Sequence, residues 1–302
     1  MRALVTGGAG FIGSQLADAL LAVGDEVVVV DHLVRGHADN LAGALDAGAT
    51  LLRGDVSDVT RMSEVVGSAR PDVIYHLAAQ IDVRRSVADP STDAHVNVGG
   101  TAAILEAARV AGTRRAVLAS TAGVYGDPSA LPTAEDAPVV PLSPYGASKA
   151  AAETYMSLFS RLHGMSTLSL RMANVYGPRQ DPHGEAGVVA IFSAAAVEAR
   201  AATIFGDGTQ TRDYIYVGDV VAAFLAAGRS DAQGVLNVST GRETSLSELA
   251  ARLGVVGRHA PGRSGEVRRS CLDPRRAAAV LGWRAQTTLD DGLRRTLDSL
   301  RG

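Results

Sequence analysis

The chain has a single cysteine, a single lysine and only 4% aromatic residues among its 302. One cysteine, Cys271, excludes an internal disulfide framework and a cysteine-built zinc site. No excess of either charge is present: the net charge is −3 and the pI near 6.2. That balance leaves no electrostatic footprint for nucleic acid. Long hydrophobic runs are also missing. The longest, Val188 to Val197, is already interrupted by Ser193 and falls far short of the ~20 residues that span a bilayer. The opening MRALVTGGAG has no apolar h-region and no small-residue cleavage site. No membrane association or secretory signal is therefore expected, and a cytoplasmic location is the simplest expectation. With 46% hydrophobic residues, a chain of this length can bury a substantial core.

The scarcity of lysine is itself informative. Of 29 basic residues only one, Lys149, is lysine. In a chain rich in Ala, Gly and Arg, arginine has taken nearly every place where either cation serves. A surviving lysine marks a position where a compact charge with a movable pKa differs from a planar, permanently charged guanidinium. What surrounds it decides its meaning.

The first half alternates strand and helix signals. Arg2–Thr6, Glu26–Asp31 (with four consecutive valines), Thr50–Arg53, Asp72–Leu77, Arg115–Ser120 and Thr167–Arg171 read as short buried strands. Phe11–Val23, Val59–Ala69, Thr101–Ala111 and Tyr145–His163 read as helices, the last opened by Ser143 and Pro144. This rhythm predicts an α/β fold: a Rossmann-type, doubly wound parallel sheet covered by helices on both faces. After about Asn174 the rhythm breaks, and shorter elements predict a smaller C-terminal α/β part. The expected division is a cofactor-binding domain over 1–173, with segments near 206–240 returning to it, and a mainly substrate-binding domain over 174–302.

Glycines recur at Gly7, Gly10 and Gly13 between the first strand and the first helix, which begins Phe11-Ile12. The first permits a tight turn, the second lets backbone approach a pyrophosphate, and the third allows close helix–strand packing at a helix N-terminus. Asp31 closes the second strand 18 residues after Gly13, where a carboxylate accepts ribose hydroxyls and repels a 2′-phosphate. The expected cofactor is NAD, not NADP, although Arg35 stands close by. Asp55 and Val56, after the third strand, are candidates to contact adenine.

Tyr145 and Lys149 are four residues apart and share a helical face. A phenol with a pKa near 10 is a poor base at neutral pH, and a nearby ammonium favours the phenolate. That task suits the only lysine. Thr121, at the carboxyl end of the fifth strand, places a hydroxyl toward the expected cofactor crevice.

Together, the glycine pattern, the Tyr-x-x-x-Lys pair and the strand-end hydroxyl resemble the extended short-chain dehydrogenase/reductase family. His76–Gln80 (HLAAQ), Asn174–Gln180 (NVYGPRQ) and Gly206–Asp219 (GDGTQTRDYIYVGD) resemble its nucleotide-sugar epimerase branch. The resemblance implies 4-epimerisation of a UDP-hexose through a 4-keto sugar, with NAD as a catalyst that undergoes no net change. It implies Tyr145 as base, Lys149 as its electrostatic partner and Thr121 as the accompanying hydroxyl. It also implies that Leu77, Ala78, Ala79 and Gln80 line NAD, and that Asn174, Arg212, Arg263 and Glu266 meet the UDP-sugar. Arginine suits a diphosphate because its fork donates two parallel hydrogen bonds.

Three departures narrow the substrate. The 4,6-dehydratases of the family carry Asp-Glu after the threonine, where this chain has Ala122 and Gly123. Epimerases of UDP-glucuronate, and other NAD-dependent nucleotide-sugar oxidoreductases, are the alternative activities. The former tend to have Thr in the Asn174 place and Arg in the Asp181 place, so Asp181 favours a neutral hexose. Ser270 aligns with a pocket-size position, and its small side chain is expected to admit N-acetylated sugars. The seven histidines show no i,i+4 pair, so no metal is expected. Glu135, Asp136 and Glu153 read as surface or turn acids. Leu158, Phe159 and the alanines of 101–111 are candidates for a homodimer face, as is usual in the family.

Overall fold

A computed structural model describes residues 1–182, 187–262 and 267–301. Seven parallel strands form the main sheet. Six are β1 (Arg2–Thr6), β2 (Glu26–Asp31), β3 (Thr50–Arg53), β4 (Val73–His76), β5 (Arg115–Thr121) and β6 (Ser166–Met172). The seventh is the edge strand Gly234–Val238, which pairs with β6. From that edge inward the order is β6, β5, β4, β1, β2, β3. The chain thus winds outward from β1 in one direction, then returns to start β4 on its other side. The crevice between the β1 and β4 carboxyl ends is the topological switch point, where ligands bind in such sheets.

Alternation in the strands feeds two cores, one on each face. Ala3, Val5, Val27, Val29, Val73, Tyr75, Leu168 and Leu170 pack against the helices Phe11–Ala22 and Val217–Gly228. Leu4, Val30, Ile74, Ala116 and Leu118 pack against the helices Val59–Ala69, Gly100–Ala111 and Pro144–His163. A third core gathers Tyr176, Phe192, Ile204, Tyr214, Leu249 and Leu293 from the part of the chain after β6.

The edge strand is legible in the sequence only as a returning segment. It reads GVLNV, with a glycine and a polar Asn237, so it lacks the apolar run of a central strand. The C-terminal helix Leu289–Arg301 and the short helices Val83–Ala88 and Pro90–Ala94 are further elements that the sequence pattern does not announce. Among the described residues, no helix is long and apolar enough to cross a membrane.

Candidate active site

The glycine loop meets its three geometric requirements at different positions. Gly7 has φ +69°, and a Cβ there would stand 2.7 Å from the backbone N of Ala78. A Cβ on Gly13 would stand 2.3 Å from the carbonyl of Gly7, so the helix closes onto the loop only as glycine. Gly10 differs: its Cβ would meet only the Gly7 carbonyl, at 3.2 Å. That face is a cradle that a side chain would fill. At Gly8, which sequence reasoning passed over, an added Cβ would stand 2.6 Å from Val29 Cγ1. The helix then starts at Phe11 with no side-chain cap, which leaves its first amides, Phe11 and Ile12 among them, as orphan donors. Both side chains turn partly into the first core.

Asp31 ends β2 beside this loop. Its Oδ2 accepts from Ala9 N (3.0 Å) and its Oδ1 from Leu33 N (2.8 Å). A carboxylate has lone pairs for further donors, so the residue both braces the loop and presents acceptors there. Arg35 instead reaches Asp82, at 3.2 Å. Asp55 is exposed and held in a turn by Ser57 N and Oγ (2.9 and 2.7 Å). Val56 is buried in the second core beside Gly100, so only its backbone faces outward.

The loop after β4 is fixed by a buried histidine. Thr101 Oγ1 donates to Asn97 O (2.6 Å) and lies 3.1 Å from His76 Nε2; Thr6 Oγ1 lies 2.7 Å from His76 Nδ1. Because Thr101 has spent its proton, the imidazole donates from Nε2 and accepts at Nδ1. Burial and the Lys149 charge push the imidazole down to about 3, so it is neutral. Thr6 Oγ1 also accepts from Ala78 N (3.2 Å), and Leu77 N donates to Thr6 O (3.1 Å). His76 therefore shapes the Leu77–Ala79 stretch and binds nothing itself. Gln80 turns its side chain inward to Asp82 O (2.9 Å) and Asp93 Oδ1 (2.8 Å), and its backbone N–H and C=O are both engaged by the Asn97 amide (2.8 and 3.0 Å).

Ser143 caps the long helix by accepting from Gly146 N (3.1 Å), and Pro144 occupies its first turn. This sets Tyr145 and Lys149 on the face toward β5. The Thr121 hydroxyl faces the Tyr145 phenol and pulls its pKa down, yet burial dominates and Asp93 adds to it. The phenol is pushed up to about 12. The phenol is therefore raised, and not lowered as the neighbouring lysine led one to expect, because desolvation of the phenolate outweighs the Thr121 hydroxyl. Lys149 is itself 4% exposed, and burial brings it down to about 8 against the opposing pull of Asp93 and Glu153.

Glu153 is not a surface acid. It is buried one turn beyond Lys149, accepts from Ser120 Oγ (2.5 Å), and meets Arg171 through Nε (2.9 Å) and Nη2 (2.6 Å). Arg171 lies 4.7 Å above the Tyr125 ring. Glu135 likewise is structural, accepting from Asn237 N (2.8 Å). The alanines expected at a dimer face are largely core: Ala103, Ala107 and Ala108 are buried, and Phe159 packs against them.

On the other side of the crevice, Asn174 is exposed just past β6, and its N–H donates to Asp213 O (2.9 Å). Arg212 pairs in register with Ser270, so the structure brings these two together. Asp213 anchors the group: its carboxylate accepts from Thr240 N (3.0 Å) and Gly241 N (2.9 Å). An acid between Arg212 and the apolar run Tyr214–Tyr216 was its sequence signal. Asp181 is exposed on the loop that follows Gln180. Arg263 and Glu266 lie outside the described residues. No cluster of His, Cys, Asp or Glu able to hold a metal occurs among the described residues.

A dinucleotide cradle at a switch point, beside a half-buried tyrosine, a buried lysine one turn on and a strand-end hydroxyl, defines a nucleotide-cofactor enzyme of the short-chain dehydrogenase type. The NAD dependent epimerase/dehydratase family model matches residues 3–239, and the chain belongs to that family. It is 50% identical to a UDP-glucose 4-epimerase of Mycolicibacterium smegmatis, covering 100% of this chain and 99% of the relative. A Thermotoga maritima UDP-glucose 4-epimerase, solved with UDP-glucose, superposes with a TM-score of 0.95 at 40% identity, over 100% of this chain and 99% of that one. A Thermus thermophilus UDP-glucose 4-epimerase in complex with NAD gives 0.94 at 42%, with the same coverage.

Proposed function

We propose that this protein interconverts the C4 epimers of a UDP-hexose, UDP-glucose and UDP-galactose first, with NAD as a bound catalyst. The observation that carries the reading is the juxtaposition of Tyr145 and Thr121 at the β5 end with the glycine cradle at the β1/β4 switch point. The likeness to UDP-glucose 4-epimerases over the whole chain supports it.

The residues present fit NAD. The Gly10 cradle and the Phe11 and Ile12 amides suit its pyrophosphate, and Asp31 suits its adenosine ribose. Asp55 and Leu77–Gln80 line the same crevice. Arg35 is paired with Asp82, and Asp31 would repel a 2′-phosphate. Bound there, NAD supplies the hydride acceptor and donor for C4. Tyr145 takes the proton of the sugar 4-hydroxyl and later returns it. Thr121 holds the 4-oxygen and favours the phenolate, while Lys149 contributes its charge one turn along the helix. The keto sugar must present its other face, so it is held by its UDP handle alone: Arg212 and Arg263 serve the diphosphate, and Asn174 and Glu266 are further contacts to the UDP-sugar. Ser270 leaves room for an N-acetyl group, and Asp181 disfavours a uronic acid. In this reading residues 1–173, with segments of 206–240, hold NAD, and 174–302 hold the UDP-sugar. The protein works in the cytoplasm as a homodimer. Val110, Tyr155 and Leu162, left exposed on the Gly100–Ala111 and Pro144–His163 helices, support a helical dimer face.

A proton NMR time course with NAD present tests this. UDP-galactose and UDP-N-acetylgalactosamine should each yield gluco-configured product. Turnover of UDP-galacturonate alone would reassign the substrate to a uronic acid. Silence with all three sinks the proposal. Tyr145→Phe should abolish turnover, by roughly 10²–10⁴-fold or more, while NAD remains bound.

A further inference from the structure

We propose that Asp93 is the buried counter-charge of Lys149, a positioning residue that keeps the only lysine of the chain protonated in the working pH range. Its bearing on turnover rests on the role proposed above for Lys149; the charge pairing does not.

Asp93 is 1% exposed, on the short helix Pro90–Ala94, which packs against the Tyr145 helix. Its Oδ1 accepts from Gln80 Nε2 (2.8 Å) and from Asn97 Nδ2 (3.3 Å). Its Oδ2 is buried and has no hydrogen-bond partner. Among the described residues no arginine, histidine or lysine, Lys149 included, stands within ion-pair distance of it, so its compensation acts through the buried interior and not by direct contact. A lone buried carboxylate is unfavourable unless a cation compensates it. The same network reaches the lysine's own turn, since Asn97 Nδ2 donates to Ser148 Oγ (2.9 Å), next to Lys149.

The other groups facing Lys149 are accounted for. His76, on β4, is neutral. Glu153, on the same helix, is already matched by the two-point contact with Arg171 from β6. Tyr145 is a protonated phenol. Asp93 is the carboxylate left without a cation, and Lys149 the cation left without an anion. The four buried charges then cancel. Consistent with this, Asp93 leads the groups that oppose the effect of burial on Lys149.

The single lysine makes the test direct. Protein grown with ¹³Cε-labelled lysine shows one lysine resonance, and its pH titration reports Lys149 alone. The wild-type midpoint should lie near 8. Asp93→Asn should lower it by about 1 pH unit or more, as loss of a neighbouring opposite charge does, and Asp93→Glu should restore it in part. An unchanged or raised midpoint in Asp93→Asn overturns the pairing. If that variant does not fold, Lys149→Met is compared with Lys149→Met/Asp93→Asn. With the ammonium gone, Asp93 is a lone buried charge, so the double variant should melt higher; equal or lower melting overturns the pairing. None of these readouts needs turnover, so a failed epimerase assay and a failed pairing are told apart.

Discussion

Replacing Glu153 by glutamine keeps the shape of a side chain that ties three elements together and removes its charge. Its partner Arg171 and Glu153 itself expose 5% and 8% of their side chains. Breaking such a pair from one side costs about 3–5 kcal/mol, because the remaining ion stays buried without compensation. Two features soften the loss. Glutamine keeps one acceptor for Arg171 or Ser120, and the guanidinium retains its place above Tyr125, worth about 1–2 kcal/mol where desolvated. The expected cost is therefore about 3 kcal/mol, near the lower bound. In a chain of this size that is a fall of roughly 5–10 °C in the melting midpoint. Turnover should fall as well, because Glu153 joins the helix of Tyr145 and Lys149 to Ser120, the neighbour of Thr121. Differential scanning calorimetry on Glu153→Gln and on the double variant Glu153→Leu/Arg171→Met checks the reasoning. The double variant should regain most of the loss, since an apolar pair of similar volume replaces a buried ion pair at little or no cost. A Glu153→Gln midpoint equal to that of the wild type, or a double variant as unstable as the single, would refute it.

The other expectations are simpler. Gly7→Ala sets a side chain at φ +69° against the Ala78 backbone; a cost of about 1–3 kcal/mol and loss of NAD on desalting should follow, read by melting and by cofactor content. Lys149 has a folded pKa near 8 against 10.5 in the unfolded chain, so the unfolded state binds more protons between these values and stability rises with pH across that window. Below pH 8 the full cost of about 3 kcal/mol applies, and in Lys149→Met, which has no such group to titrate and should lose turnover, the rise of stability across that window should vanish, as pH-dependent urea melts and assays will show. Ser270→Tyr should slow UDP-N-acetylgalactosamine by about 10-fold or more and spare UDP-galactose, since one poorly fitting group in a pocket is worth roughly 1–3 kcal/mol.

The local chemistry was legible where one short segment carries it. Near-continuous apolar runs set β1 to β6, because a strand covered on both faces has no polar side to show. Gly7, Gly10, Gly13 and Asp31 could be read because backbone shape and helix capping are local requirements. Tyr145 and Lys149 could be paired because four residues make one helical turn. The polar residues Asp93, Asn97 and Thr101 also recur every four residues, a signal for one functional face that spacing alone does not connect to Lys149.

What tertiary structure decided is which charges lie buried together. Glu153 reads as a surface acid on its helix, yet Arg171, 18 residues away on β6, makes it an interior ion. Tyr145 reads as a phenol lowered by its lysine, yet burial raises it, because desolvation depends on everything packed around the oxygen. The sheet order brings Ala78 against Gly7, and the ladder between Arg212 and Ser270 spans residues far apart in the chain. Sequence by itself determined β1 to β6, the long helices between them, the glycine loop and the Tyr145–Lys149 spacing, since each follows from neighbours along the chain. Their protonation states depended on the folded interior, where electrostatic energy is set by distance and solvent exclusion and not by order in the sequence.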